Sequence, residues 1–169
     1  LLALPVIEPR RGIRPNLNLI RRFLEQHPDS VLVLDDLDGD ENASFQTISK
    51  VPGDTSSTTH HKLLERVGRW VFPLRKKSRF ASMITVGRAA NSDLRFNIGS
   101  VSKFHAYLEE REGTWTLKDA NSSNGTFVGE TQLEKGGSAP LSDATDLRFA
   151  RVRCRFLLPS SFQAMLEKE

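Results

Sequence analysis

The second half of the chain alternates apolar and polar residues in short segments, as is typical of strands that bury one face. Polar turns separate these segments at intervals of about ten residues, without a helical pattern between them. The pattern predicts an antiparallel β-sandwich, and a closed barrel is the nearest alternative. The candidate strands are 83–87, 94–96, 106–110, 114–118, 126–128, 146–149 and 152–158, with Glu112-Gly113 as one of the turns.

Further elements are predicted on both sides of this region. Apolar residues from 17 to 24 recur at helical spacing after the candidate N-cap Asn16. Residues 31–34 form an apolar run typical of a short buried strand, and residues 70–74 predict the first strand of the sandwich. At the end of the chain, Ser160 or Ser161 is the candidate cap of a short helix that would pack Phe162, Met165 and Leu166 on the sandwich.

These patterns divide the 169-residue chain into three parts. Residues 1–37 are predicted to form an N-terminal helix–strand extension, which either docks on the following module or belongs to a truncated domain. Residues 38–61 are poor in apolar types and rich in Ser, Thr, Asp and Gly, which predicts a flexible linker. Residues 62–169 hold the β-sandwich and its C-terminal helix. Because the first residue is not methionine, we expect the chain to be a fragment of a longer protein.

Charge, apolar runs and cysteine content indicate which partners and which cellular location to expect. The 24 basic residues face 21 acidic ones, for a net charge of +3, and the basic run at 75–79 lacks interleaved aromatic residues. We therefore expect no nucleic-acid partner. Apolar runs fall short of the roughly 18 residues that a membrane helix needs, so no membrane partner is expected. The single Cys154 is predicted to be buried, and its lack of a disulfide partner fits a reducing, cytoplasmic location.

An acidic segment at 35–42 suggests two activities that the rest of the chain does not support. Asp36-x-Asp38 after an apolar strand is similar to the phosphotransfer motif of haloacid-dehalogenase-type phosphatases, but the other motifs of that class do not follow. A calcium loop would need acidic residues where Leu34 and Phe45 stand. The His60-His61 pair has no cysteine nearby and two other histidines only at a distance. We expect neither a metal nor a cofactor.

Three polar clusters fall in the loops between the predicted strands. They are Gly87-Arg88, the segment from Ser102 to His105, and the segment from Asp119 to Thr126. An arginine, a lysine, several hydroxyl groups and an Asn-Gly turn suit a doubly charged, oxygen-rich ligand such as a phosphate monoester. This combination predicts an anion-binding site at one end of the sandwich.

In order and spacing, Gly87-Arg88, Ser102-x-x-His105 and Asp119-x-x-Ser122-x-Asn124-Gly125-Thr126 resemble the motifs of the forkhead-associated (FHA) domain. The resemblance covers roughly residues 71–158, or about half of the chain. It implies a β-sandwich module that binds phosphothreonine peptides and mediates phosphorylation-dependent protein–protein interactions in signalling. The implied partner is a phosphothreonine-containing protein or peptide.

The resemblance also implies roles for individual residues. The expected phosphopeptide contacts are Arg88, Ser102, Lys103, Ser123 and Asn124. Arg88 would give two parallel hydrogen bonds to phosphate oxygens, which lysine cannot reproduce. Ser102 would add a hydroxyl, Lys103 a second positive charge, and Asn124 a hold on the peptide main chain. The expected structural support comes from Gly87, His105, Asp119, Ser122 and Gly125.

One departure from the family concerns specificity. Ser100 stands where some members carry an arginine that recognises the third residue after the phosphothreonine. The sequence therefore does not predict a preference for an acidic residue at that position of the peptide.

Other functions stay open beside the leading one. The fold would also suit a structural protein–protein interaction module that does not bind phosphopeptide. In a related variant, a phosphorylated linker threonine (Thr55, Thr58 or Thr59) would occupy the site and cause self-association. A hydrolytic triad of Ser102, His105 and Asp119 is disfavoured, because the serine lies only three residues from the histidine and no Gly-x-Ser-x-Gly elbow is present. The chain is therefore not expected to be an enzyme.

Overall fold

In the computed structural model, which describes residues 29–37, 44–47, 71–74 and 82–168, twelve strands form two sheets. One helix, α1 (Pro159–Lys168), follows the last described strand. The strands are β1 Val31–Leu37, β2 Ser44–Thr47, β3 Val71–Pro73, β4 Met83–Gly87, β5 Leu94–Asn97, β6 Ala106–Arg111, β7 Thr114–Asp119, β8 Thr126–Val128, β9 Thr131–Gln132, β10 Ser138–Leu141, β11 Thr145–Phe149 and β12 Val152–Leu157.

The two sheets face each other as a sandwich, which confirms the predicted fold class. The first sheet has the order β3-β1-β12-β11-β8-β9 and the second the order β10-β7-β6-β4-β5-β2. Strand pairs are antiparallel except for β4 and β5, where Val86 lies opposite Leu94 and Gly87 opposite Arg95 in a parallel register. The intervening loop must therefore double back beside the end of β4, and this return positions Arg88.

Aromatic side chains from both sheets meet in the core. Phe72 of the first sheet contacts Phe96 of the second edge to face, with ring centroids 5.4 Å apart. Phe96 also contacts Phe149, at 5.9 Å. Such pairs stabilise a core beyond their buried area. Cys154 is buried in the same core, and burial raises the pKa of its thiol.

The strand predicted in the N-terminal extension belongs to the sandwich itself. β1 pairs with β12, with Val31 opposite Leu157, and with β3, with Val33 opposite Val71. In the structure, residues 31–37 of the predicted extension dock on the following module as a strand of its first sheet. The apolar run of β1 predicts a strand but does not identify the strands with which it pairs, because these lie far away in the sequence.

Four residues of the predicted flexible linker also form a strand. β2 pairs antiparallel with β5, with Ser44 opposite Asn97 and Thr47 opposite Leu94. It is the edge strand of the second sheet, where backbone hydrogen bonds to a single neighbour suffice. A four-residue segment with one apolar residue is too short to show the alternation that predicts a strand. The linker prediction is therefore wrong for residues 44–47.

The C-terminal helix begins at Pro159, before either of the serines, Ser160 and Ser161, that the sequence offers as its cap. Pro159 occupies its first position, where proline's missing N–H and fixed φ are tolerated. Asp143 accepts a hydrogen bond from the Leu158 amide at 2.9 Å and another from the Ser161 hydroxyl. The capping acceptor thus comes from the loop between β10 and β11, which crosses from one sheet to the other. Phe162 is buried, as predicted.

Several predicted features lie outside the described residues. They are the N-terminal helix at 17–24, the linker threonines Thr55, Thr58 and Thr59, the His60-His61 pair, and the basic run at 75–79. Within the part of the chain that the structure describes, no helix has the length and apolarity to cross a membrane. The same part contains no cluster of three or more residues suited to bind a metal ion.

Candidate functional site

Three loops meet at one end of the sandwich, and they carry the polar clusters of the sequence. The loop after β4 binds the loop before β6, because Arg88 N–H donates to the Ser102 carbonyl at 2.9 Å and Ala89 N–H to the Lys103 carbonyl at 3.0 Å. The loop after β7 joins them, since Ser123 N–H donates to Ser102 Oγ at 3.0 Å. Arg88, Ser102 and Ser123 are therefore neighbours in space.

The Arg88 side chain is half-buried and held from one side. Its Nε–H donates to the Val101 carbonyl at 3.2 Å. In the part of the chain described, no carboxylate forms an ion pair with Arg88, and its Nη1 and Nη2 atoms have no hydrogen-bond partner. A guanidinium has five N–H donors. One fixes its position, and the others remain for an anion.

Ser102 and Ser123 form a hydroxyl pair beside that arginine. Ser102 Oγ accepts from Ser123 N–H, while its own contact to Ser123 Oγ is long, at 3.4 Å. The oxygen is thus fixed by a good hydrogen bond, whereas its proton is only weakly engaged. This hydroxyl can turn to donate to a ligand oxygen without losing its support.

Asn124 and Lys103 complete the exposed part of the site. Asn124 Nδ2 donates to the Ser100 carbonyl at 2.7 Å, which links the loop after β7 to the loop before β6 a second time. The Lys103 side chain is exposed, and its carbonyl accepts the Ala89 amide. The structure thus brings all five predicted contact residues to the three converging loops.

Gly87 is required by the close approach of another loop. A Cβ atom at this position would collide with the Lys103 carbonyl oxygen and lie 3.0 Å from Ser92 Oγ. Gly87 supports the site, because only a residue without a side chain lets the Ser102–Lys103 backbone come this near to Arg88.

His105 connects two of the loops from inside the protein. Its buried ring accepts a hydrogen bond from Ser102 N–H at Nδ1, 3.1 Å away, and its Nε2 lies 3.1 Å from the Gly125 carbonyl. A carbonyl oxygen only accepts, so Nε2 carries the proton and the ring is neutral. Burial lowers the pKa of His105, although the Gly125 carbonyl and the charge of Asp119 act in the opposite direction.

This lowered pKa predicts a loss of stability in mild acid. The unfolded chain binds the His105 proton near pH 6.5, whereas the folded chain binds it only at lower pH, so the free energy of unfolding falls as pH drops below about 6.5. Denaturant unfolding between about pH 7.5 and 5.5 measures the slope. His105→Asn should reduce this slope. An unchanged slope in His105→Asn would contradict the prediction.

Asp119 organises the third loop through four hydrogen bonds. Its carboxylate accepts from Ser122 Oγ and Thr126 Oγ1, each at 2.6 Å, from Ser122 N–H at 3.1 Å and from Gly136 N–H at 3.4 Å. Burial alone would raise the pKa of Asp119, but these hydrogen bonds outweigh it and lower the pKa. The ionised carboxylate therefore fixes the turn that presents Ser123 and Asn124.

Gly125 adds a conformational requirement to the same turn. Its φ is +82°, and a Cβ there would also meet the Gln132 side chain at 2.5 Å. Its carbonyl accepts both His105 Nε2 and the Ala150 amide, the latter at 3.0 Å. The backbone of the turn is thereby connected to both sheets.

Some contributors to the site were not predicted from the sequence. The Val101 carbonyl anchors Arg88, and Thr126 supplies one of the shortest bonds to Asp119. Asp93 holds the loop after β4, since its carboxylate accepts from the Thr85 amide and hydroxyl, each at 2.8 Å. The Asn91-Ser92-Asp93 triplet predicts a turn, but nothing local indicates the partner of its aspartate.

Comparison with known families identifies this part of the chain. The family model described as the FHA domain matches residues 84–150, which include all three converging loops. The chain contains an FHA domain. The FHA resemblance seen in the sequence is thereby confirmed. Among the curated proteins, none matches the chain.

Solved FHA structures share the fold at low sequence identity. One is Mycobacterium tuberculosis EmbR in complex with a low-affinity phosphopeptide, 22% identical, covering 53% of this chain and 22% of that one, with a TM-score of 0.47. The FHA domain of an Arabidopsis thaliana protein is 16% identical over 77% and 86% of the two chains, with a TM-score of 0.48. An engineered FHA with a Myc-pTBD peptide is 19% identical over 83% and 100%, with a TM-score of 0.49.

Proposed function

We propose that the FHA domain of this chain binds phosphothreonine peptides and thereby mediates phosphorylation-dependent protein–protein interactions in signalling. The observation that carries the proposal is the position of Arg88. Its guanidinium is anchored through Nε alone, beside the Ser102 hydroxyl and the Ser123–Asn124 turn. The family match supports it, and the structural neighbours include EmbR in complex with a low-affinity phosphopeptide and an engineered FHA with a Myc-pTBD peptide.

The chemistry of the proposed complex follows from the donors on these loops. A phosphothreonine side chain carries a charge of about −1.5 to −2 at neutral pH and three strong acceptor oxygens. The two terminal nitrogens of Arg88 would donate to two of them in parallel. Ser102 would turn its hydroxyl proton to the phosphate, and Lys103 would add a less directional charge. Asn124 would bind the peptide main chain.

The neighbouring histidine and aspartate do not form a hydrolytic site with Ser102. His105 Nδ1 accepts the backbone amide of Ser102, not its hydroxyl, and Nε2 is occupied by a carbonyl. The Asp119 carboxylate binds its own loop. A triad needs a base that takes the proton of the serine hydroxyl and an acid that orients that base. We therefore propose an interaction module and not an enzyme.

A paired titration tests the proposal. Fluorescence anisotropy would compare threonine peptides from an oriented library in phosphorylated and unphosphorylated form. We expect a phosphorylated peptide to bind at least about 100-fold more tightly than its unphosphorylated copy, because charge-assisted hydrogen bonds are the strongest contacts available here. Equal binding of the two forms would overturn the proposal in favour of a structural module that does not recognise phosphate.

The proposed self-association through a phosphorylated linker can be followed in the same preparation. A phosphate on Thr55, Thr58 or Thr59 would compete with an added peptide and raise the mass in solution. Equal peptide affinity and equal mass before and after phosphorylation would exclude this variant, while leaving the binding of other phosphoproteins unaffected.

A further inference from the structure

An exposed aromatic side chain stands in one of the three converging loops. Phe104 follows Lys103 directly and, in the part of the chain that the structure describes, is the one large apolar residue left exposed, at 46%. A single exposed phenylalanine is ordinary on a protein surface. The position of this one, between a proposed phosphate contact and the buried His105, distinguishes it.

The backbone on both sides of Phe104 is fixed. The Lys103 carbonyl accepts the Ala89 amide at 3.0 Å, and His105 N–H donates to the Val86 carbonyl at 2.9 Å. Phe104 therefore cannot withdraw its ring by a shift of the loop. Its exposure is a property of the folded site.

The ring itself is also held in place. It stacks on Tyr107 of β6, with centroids 6.0 Å apart and planes only 8° from parallel. Lys118, directly opposite Tyr107 on β7, places its Nζ 5.7 Å from the centre of the tyrosine ring. The phenyl surface is thus ordered before any ligand arrives, so that a ligand loses little free energy in ordering it.

Covalent geometry limits the distance from this ring to the phosphate contacts. Phe104 is two residues from Ser102, so their Cα atoms are at most about 7 Å apart. An extended peptide advances about 3.3 Å per residue. A residue about two to four positions from the phosphothreonine can therefore reach the ring while the phosphate remains on Arg88 and Ser102.

We infer that Phe104, supported by Tyr107, is a specificity subsite for an apolar side chain of the phosphothreonine peptide. The inference rests on the proposed function, because the phosphate anchors the peptide beside the ring. A phenyl surface offers no hydrogen-bond donor, so a carboxylate or amide side chain placed on it would lose hydration without compensation. An aliphatic residue removes apolar surface from water on both partners.

Peptide scanning with matched variants tests this subsite. A phosphothreonine peptide with serine at its flanking positions receives one leucine at a time, up to about four residues on either side, within the reach of an extended chain. At one of these positions we expect leucine to raise the affinity of the unchanged protein about fivefold. Phe104→Ser should abolish this gain while leaving the affinity for the all-serine phosphopeptide within about twofold. Phe104→Leu should keep most of the gain.

Two controls separate the subsite from the fold and from the phosphate site. Met83→Ser changes a partly exposed apolar residue at the start of β4 and should preserve the leucine gain. Phe104→Gln keeps much of the side-chain bulk without an apolar ring and should behave as Phe104→Ser does, with an unchanged midpoint of thermal unfolding. If Phe104→Ser does not fold, the glutamine variant decides.

The possible failures are distinguishable. A leucine gain at no position, or a gain retained in Phe104→Ser and Phe104→Gln, would overturn the subsite while phosphate-dependent binding persists. Equal binding of phosphorylated and unphosphorylated peptides would overturn the proposed function first.

Discussion

Replacing Arg88 with alanine is expected to weaken the binding of a phosphothreonine peptide by at least about 100-fold, or about 3 kcal/mol. Each hydrogen bond between charged groups contributes about 1.5–3 kcal/mol, and the guanidinium would form two of them. The half-buried position of Arg88 limits the extent to which water can replace these bonds. Isothermal titration of phosphorylated peptide into the two proteins measures the difference.

A conservative variant and a matched control sharpen this test. Arg88→Lys keeps the charge but loses the parallel pair of donors and the Nε–H bond to Val101, so we expect an intermediate loss of about tenfold. Arg111→Ala also removes one positive charge, but at the exposed far end of β6, and should leave affinity unchanged. If Arg88→Ala binds as tightly as Arg111→Ala, the guanidinium is not the phosphate contact.

Much of the sandwich could be predicted because its strands bury one face. Met83–Gly87 and Thr126–Val128 have the bounds expected from the sequence, and the other five candidate strands between residues 83 and 158 each differ by one residue at one end. Strand β10 was missed because Pro140 interrupts its short pattern, and of its four residues only Leu141 is buried. Proline is tolerated there because β10 lies at the edge of its sheet, which only the three-dimensional arrangement reveals.

In the candidate site, too, the sequence indicates the residue types but not the contacts between residues that are distant in sequence. Arg88, Ser102 and Asn124 stand out in sequence because their side chains are of types that bind anions and occur in loops. The contacts that hold these side chains in position cannot be recognised in the sequence. The Val101 carbonyl that holds Arg88 is thirteen residues away, and the ring of Phe104 gains its order from a partner on β6. Such contacts leave no periodic pattern in the sequence, so the structure was needed to find them.

Removing the Asp119 carboxylate is expected to have the largest effect on the fold at this end of the sandwich. In Asp119→Ala, two hydroxyl groups and two amides would lose their acceptor, and three of these donors belong to the buried residues Ser122 and Thr126. An unsatisfied buried polar group costs about 1–3 kcal/mol, so we expect the free energy of unfolding to fall by at least about 3 kcal/mol. Phosphopeptide binding should weaken too, because the Ser123–Asn124 turn loses its anchor.

The matched control is Asp143, whose carboxylate accepts three hydrogen bonds but is exposed. Asp143→Ala should cost only about 1 kcal/mol, as for the loss of a helix cap, and should leave peptide affinity unchanged. Because the folded pKa of Asp119 is lowered, its ionic contribution is complete above about pH 4 and is lost as pH falls through the folded pKa. Urea unfolding at neutral pH and near pH 3.5 measures this loss. The difference in the free energy of unfolding between the unchanged protein and Asp119→Ala should be smaller at the acidic pH. If Asp119→Ala and Asp143→Ala lower the free energy of unfolding equally at neutral pH, the buried carboxylate of Asp119 contributes no more to stability than an exposed one, and the prediction is wrong.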